Sequence, residues 1–298
     1  MADALATSAT PRGGTVRSPD TRVIRPRPLG PARRVAEAWQ YRGLAPFFAF
    51  DFASKAWANT WLGWWWVPLR PALSIIVRVL VFGTILRAPS GGVPYFIFFA
   101  LGVAFWELFG VTWYFGTRSI ELSKRYLKRI YVPRLVLLTA SVSPGLMWCG
   151  VHLLIAEIGI FYYLAVDEKL YLNLGVNLLL ALVGMTLMVG LALALGLWSS
   201  VFGAMGVRDP RWIVRQILHV WFYLTPVIYP LSAVPERFQG VMSANPLTAP
   251  MEMIRLGLVG YGDVRMSGVI ITLVTILVIG FFGLRFFDSS EARSLDEL

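Results

Sequence analysis

The stretch NLGVNLLLALVGMTLMVGLALALGLWSSV, residues 173–201, contains no Lys, Arg, Asp or Glu. It is longer than the roughly 20 apolar residues that cross a hydrocarbon core of about 30 Å. A backbone in lipid must satisfy its own hydrogen bonds, so such a run is a helix or part of a closed barrel. A barrel needs short alternating segments, and this chain has none. Comparable runs recur at 70–87, 93–117, 137–165, 213–231 and 267–287. With 57% hydrophobic and 15% charged residues over 298 positions, against roughly 25% charge in soluble domains, the chain reads as an all-α integral membrane protein with about six spans. The third and fourth runs exceed what a span needs and predict tilt or extension. SVSPG (141–145) predicts a kink near the start of the third. Ala192, Gly196 and Ser200 form a small-residue stripe that lets helix backbones approach closely, read here as internal packing.

The formal charge of +10 does not gather on one folded face, so nucleic acid is not an expected partner. The basic residues sit in the N-terminal tail and in two short loops, one at Arg118–Arg134 and one containing Arg208, Arg211 and Arg215. The alternate loops carry only Arg87, Lys169 and a spread of Arg237, Arg255 and Arg265. The positive-inside bias then places both termini in the cytoplasm. Residues 1–44, rich in Pro, Arg, Ser and Thr, read as a disordered basic tail facing anionic lipid; 288–298 read as a C-terminal cytoplasmic tail. The single cysteine, Cys149, excludes an intrachain disulfide and a Cys metal cluster. His152 and His219 are solitary and read as structural.

Ahead of the first span, FDFASKAWANTW (50–61) predicts an interfacial amphipathic helix. Asp51, Ser54, Lys55 and Asn59 share one face and Phe50, Ala53, Trp57 and Trp61 the other. Pro46 suits its first turn. Four tryptophans, Trp61, Trp64, Trp65 and Trp66, then crowd the mouth of the first span. VMSANPLTAPMEMIRLGLVG (241–260) is apolar but broken at Asn245-Pro246 and Pro250, which predicts a re-entrant pair of short external helices rather than a span.

Chemistry-bearing patterns are scarce. There is no Gly-Lys dipeptide and hence no phosphate loop of the G-x-x-x-x-G-K-[ST] kind, and no H-E-x-x-H, paired-Cys or D-x-D arrangement. The chain does not read as an enzyme. An ionisable group at mid-depth costs a few kcal/mol at least. Arg78 lies about 13 Å below the outer end of its span, and Glu157 at about the same depth in the third. The expectation is that Arg78 pairs with Glu157, or with Glu107 by stretching, either as a structural ion pair or as part of a cavity wall. RSIELSKRYLKRIYVPR (118–134) is a basic amphipathic stretch that either snorkels into headgroups or docks into a partner. Aromatics near the predicted interfaces form belts, and as a group they also offer flat faces for sugar rings.

Four stretches taken in order carry a resemblance: LGWWWVPLRP (62–71), FGTRSIELSKRYLKRIYVPR (115–134), VRDPRWIVRQILHVWFYLTPVIYP (207–230) and NPLTAPMEMIR (245–255). The chain resembles the ABC-2 type membrane subunits of bacterial polysaccharide exporters, which handle O-antigen, teichoic acid and mycobacterial galactan. The resemblance covers about 45–287. It departs from the family's habits at Arg70, where glutamine is common, at Glu107, where asparagine is common, and in having Lys55 alone on the gate helix's polar face.

The resemblance implies a homodimer in the bacterial inner membrane that exports lipid-linked polysaccharide. No cofactor would bind this chain, because ATP and magnesium would be held by a separate ATPase subunit. Coupling to that subunit would involve Lys124, Arg125, Lys128, Tyr131, Pro133 and Arg134, with a second contact at Arg208 and Asp209. Helix 47–61 would be the gate, where the lipid-linked substrate is received near Lys55, Trp57, Trp61, Trp64, Trp65, Trp66 and Arg70. Channel-lining candidates are Arg78, Trp106, Glu107, Trp113, Tyr114, Trp221, Tyr223 and Tyr229. The Arg-, Pro- and Ala-rich tail leans the cargo toward galactan. The alternatives are an exporter of a drug or peptide, and a multispanning glycosyltransferase, for which Asp167, Glu168, Glu236 and Asp263 offer no convincing catalytic pair.

Overall fold

The computed structural model describes residues 31–55, 63–173, 175–204 and 209–294, and no strand occurs among them. Two short helices come first, α1 (Pro31–Gln40) and α2 (Ala45–Ser54), joined by a 3-10 turn. Helix α3 (Trp66–Arg78) runs on through a π-helical segment, Val79–Ile85. Then follow α4 (Tyr95–Leu127), α5 (Arg134–Ala140), α6 (Val142–Asp167), α7 (Leu178–Ala204) and α8 (Asp209–Leu224). The chain ends with α9 (Glu236–Ser243), α10 (Thr248–Val259) and α11 (Met266–Ser294).

Among the described residues five helical stretches are long and apolar enough to cross a membrane: Trp66–Ile85, Tyr95–Leu127, Arg134–Asp167, Leu178–Phe202 and Met266–Arg285. The expected span at 213–231 is helical only as far as Leu224, as the 16-residue α8, which is shorter than the roughly 20 residues a span takes. Thr225 precedes Pro226, and a residue before proline is pushed out of the α region, so the helix stops there. A pair of short helices, α9 and α10, replaces a span at 236–259, as the Asn245-Pro246 break predicts.

Helix α4 is the centre of the bundle, with 83% of its most apolar window buried, against 17% for α11. It packs against α6 and α7. Its first residue follows Pro94 and a turn whose Gly91 has φ +69°, with the Tyr261 ring where a side chain would stand. At its crossing with α7, Gly116 and Gly196 face one another so closely that a Cβ on Gly196 would lie 3.3 Å from the Gly116 Cα. The small-residue stripe on α7 therefore serves internal packing, and Thr117 and Ser199 hydroxyls pair beside it at 2.7 Å.

Three expectations change. The basic stretch 118–134 is not a separate helix after the second span. No Gly or Pro interrupts 117–127, so α4 continues to Leu127 over 33 residues, about 50 Å of helix, and its last turns carry Leu122, Tyr126 and Leu127 against α2 and α5. The chain bends at Lys128–Pro133 and re-enters as α5, which Ser141 separates from α6; the kink expected at SVSPG falls there. The N-terminal tail does not stay irregular to residue 44, because Pro31 opens α1 and Val35, Ala38 and Trp39 recur at helical spacing; residues 1–30 lie outside the described residues. On α2, Phe48 and Phe52 are fully buried against Val136 and Leu137, while Phe47 and Phe50 are exposed. This helix is apolar on two sides, one turned to protein and one outward.

Candidate functional site

Spacing on two helices builds the site. On α8, Arg211, Arg215 and His219 follow at i,i+4 and share a face; on α4, Glu107, Val111, Tyr114 and Arg118 share one at alternating i,i+4 and i,i+3 steps. Where these faces meet Arg78 of α3, an open cavity of about 340 Å³ forms, lined by Arg78, Glu107, Tyr114, Arg215, His219 and Tyr223 among others. Trp106, Trp148 and Phe222 complete its aromatic wall.

The Tyr114 phenol organises the end of this cavity nearest the α4 and α8 basic residues. Its oxygen accepts from Arg215 at 3.1 Å and from Arg118 at 3.4 Å. Both guanidiniums also lie over its ring, at 5.4 and 5.5 Å from the centroid. Glu121 pairs with Arg118 at 3.2 Å and with Arg211 at 3.5 Å. One carboxylate thus serves two guanidiniums, while the contacts of Arg215 among the described residues are the Tyr114 phenol and ring and the Trp212 face. The Nε of Arg211 is buried with no hydrogen-bond partner. The balance is cationic, beside the aromatic side chains of the cavity wall. Such a surface can hold an anion by charge-assisted hydrogen bonds and flat polar rings by stacking. Among the described residues no three His, Cys, Asp or Glu side chains come together to hold a metal.

Arg78 does not pair as expected. No ion pair joins it to Glu107 or Glu157 among the described residues; its guanidinium lies 5.4 Å from the Phe222 ring centroid. Arg78 and Glu107 face a shared second cavity of about 280 Å³, with Arg70 and His152 in the same wall. Glu157 is exposed on α6, beside Leu154, Ile158 and Phe161. Arg78 thus lines both cavities beside Glu107, within electrostatic reach of that carboxylate but without a direct ion pair.

The remaining expected residues divide. Trp113 and Trp221 are built into the core: they meet edge to face at 6.0 Å, and their indole N–H groups donate to Ser199 and Asn245. Trp106 is 6% exposed yet touches the cavity. Tyr223 is exposed, and Tyr229 donates its hydroxyl to the Tyr223 carbonyl without reaching the cavity. At the gate, Trp57 and Trp61 and the Trp64 side chain lie outside the described residues. Trp65 is 75% exposed, and Arg70 covers the Trp66 ring at 5.1 Å. Lys55 is not a free cation on a polar face: it pairs with Asp51 and donates to the Leu122 carbonyl, tying α2 to α4. At the coupling stretch, Lys124, Arg125 and Lys128 are exposed, Pro133 is buried ahead of Arg134, and Tyr131 donates to Glu37 of α1 at 2.8 Å. Asp209 is exposed at the start of α8, and Arg208 lies outside the described residues.

Arg118 opens the basic stretch that snorkels or docks by its sequence, whereas sequence alone marks Arg211 and Arg215 as topology charges and His219 as structural. Their i,i+4 spacing on α8 was the available signal. Arg255 was likewise counted as a loop charge, whereas it is 1% exposed.

No family model matches the chain. It is similar to the O-antigen export system permease protein RfbA of Myxococcus xanthus, 28% identical over 221 residues that cover 74% of this chain and 81% of that protein. It is also similar to the O-antigen export system permease protein RfbA of Klebsiella pneumoniae, 22% identical over 238 residues that cover 76% of this chain and 87% of that one. These relatives support the resemblance to ABC-2 polysaccharide-exporter permeases that the four motifs carry.

Proposed function

We propose that this chain is the membrane-spanning permease subunit of an ABC-2 type exporter. It moves a lipid-linked polysaccharide from the cytoplasmic to the outer side of the inner membrane and is driven by a separate ATPase. The observation that carries the proposal is the 340 Å³ cavity, where Arg78 and Arg215 stand among Trp106, Tyr114 and Tyr223, in a chain similar to two O-antigen export permeases. Arginines suit the phosphate of a lipid-linked headgroup, and aromatic faces suit sugars that must be held without being gripped.

In this reading the end bearing Arg118 and Arg211 is cytoplasmic, and so are both termini, in line with the positive-inside bias. The exposed knuckle at Lys124, Arg125 and Lys128 meets the ATPase, and a nucleotide-driven closure there rocks α4 and α5 together. The cavity is open on the side where Tyr223 of α8 is exposed, and a second copy on that face would complete a channel. Galactan is the first cargo to test.

The test is reconstitution in vesicles with and without the companion ATPase, with labelled lipid-linked polymer on one side. Polymer should cross only with the ATPase and ATP. Crossing at the same rate without the ATPase, or ATP-driven movement of peptides or drugs in place of polymer, would overturn the proposal.

A further inference from the structure

On the side of the bundle away from the cavity, α5, α7 and α11 leave an apolar groove of about 480 Å³. That volume falls within the roughly 300–1,000 Å³ of small-molecule sites. Its floor is made by residues with little or no side chain, Gly190 and Ala194 of α7 and Gly280 of α11. A Cβ on Gly280 would meet only the Ala194 Cβ, at 4.0 Å, so that position opens into the groove. Ile276, Gly280 and Leu284 stand one turn apart along one wall, which makes the groove about 12 Å long and parallel to the helix axis. All of these residues lie within Leu178–Phe202 and Met266–Arg285, two of the stretches long and apolar enough to cross a membrane, so the groove runs along two such helices. Water does not favour so apolar a channel, and a vacant one forfeits dispersion contacts along both walls.

The rim closes the argument. Helix α1 packs on both α5 and α11 and turns Val35, Ala38 and Trp39 toward the groove. Arg42 sits at the same rim, its guanidinium 4.9 Å from the Trp39 ring centroid and donating to the Trp39 carbonyl. No carboxylate pairs with Arg42 among the described residues. A cation stacked on an interfacial tryptophan above an acyl-shaped groove matches a lipid with a negative headgroup.

We infer that this groove is a binding site for one acyl chain of an anionic phospholipid, with α1 as its strap and Arg42 as its headgroup contact. The inference rests on the membrane fold and is independent of the exported cargo. Basic residues near a lipid headgroup favour anionic lipid by about fivefold each.

The full chain, purified in mild detergent and exchanged against equal phosphatidylglycerol and phosphatidylethanolamine, is read by native mass spectrometry. The unsubstituted protein should retain phosphatidylglycerol. Gly280→Leu should lose the adduct while keeping its melting temperature, and Arg42→Gln should lose the preference for the anionic lipid by about fivefold. If Gly280→Leu fails to fold, a diazirine-tailed phosphatidylglycerol on the unsubstituted protein decides, with crosslinks expected at Leu197, Ile276 or Leu284. Crosslinks elsewhere, an adduct indifferent to Gly280→Leu, or retention of a polyprenyl lipid in its place would overturn the site. So would a groove that accepts lipid only after residues 1–30 are removed.

Discussion

Arg255 and Glu252 form an ion pair one turn apart on α10, with both side chains 1% exposed. The guanidinium also donates to the carbonyls of Pro226 and Val227 and lies 4.0 Å from the Phe98 ring centroid. The other oxygen of Glu252 accepts from the Asp263 backbone N–H at 2.9 Å. Burial pulls the Arg255 pKa down from its ordinary value, and Glu252 opposes that pull. One side chain thereby holds the end of α8, the face of α4 and the approach to α11. Removing one partner of a buried pair leaves an uncompensated charge, a loss of about 3–5 kcal/mol. Glu252→Gln and Arg255→Met should each lower the melting temperature sharply, followed by tryptophan fluorescence in detergent. Arg255→Lys should not rescue, because a point charge cannot span two carbonyls and a carboxylate as a planar fork does. Unsubstituted melting in Arg255→Met would show that this junction is held by packing alone.

The α4–α7 crossing depends on Gly116 and Gly196, since a Cβ on Gly196 would stand 3.3 Å from Gly116 Cα. Neither backbone can retreat without separating two core helices. Gly196→Val should destabilise the fold by about 1–3 kcal/mol, the usual range for an overpacked core. Denaturation of the purified variant measures it. Equal stability would mean that α7 can slide, and that its small-residue stripe is not the contact that fixes the crossing.

Much of this architecture is legible because lipid permits so few solutions: an apolar run such as the one at 173–201 has to be helical over most of its length, as α7 is from Leu178, and the break at Asn245-Pro246 has to divide the later apolar segment into α9 and α10. The length of α4 was hidden for a related reason. Lys124 and Arg125 look like a loop by charge, yet no Gly or Pro breaks the backbone there, and the helix runs on to Leu127 with Lys128 as its cap. The site was less legible. Arg211, Arg215 and His219 advertise one face, but their role depends on Tyr114 and Glu121, some ninety to a hundred positions away. Arg255 gave no local sign of burial, because the carbonyls it satisfies belong to Pro226 and Val227 on another element.

The attachment of α2 is separable from global stability. Lys55 pairs with Asp51 and reaches the Leu122 carbonyl, and the Tyr126 hydroxyl donates to Asp51. The pair is partly exposed, at 34% and 18%, so its loss should cost about 1 kcal/mol or less. Asp51→Asn should leave the melting temperature nearly unchanged while amide exchange accelerates over 45–54. Unaltered exchange would assign the docking of α2 to Phe48 and Phe52 alone.

Arg215 separates function from folding most cleanly. It is exposed, and its contacts are the Tyr114 hydroxyl and the faces of Tyr114 and Trp212. Such exposed cation–ring contacts contribute about 0.5–1 kcal/mol, too little to unfold the bundle. Arg215→Ala should therefore melt like the parent protein yet lose most ATP-dependent polymer movement in vesicles, because one of the two arginines lining the cavity is gone. Arg215→Lys should recover part of the movement, since it restores charge without the planar fork. Glu121→Gln acts in the opposite sense, freeing Arg118 and Arg211 and strengthening capture of an anionic headgroup. Full transport in Arg215→Ala would remove the cavity from the path of the cargo, whatever the stability data showed.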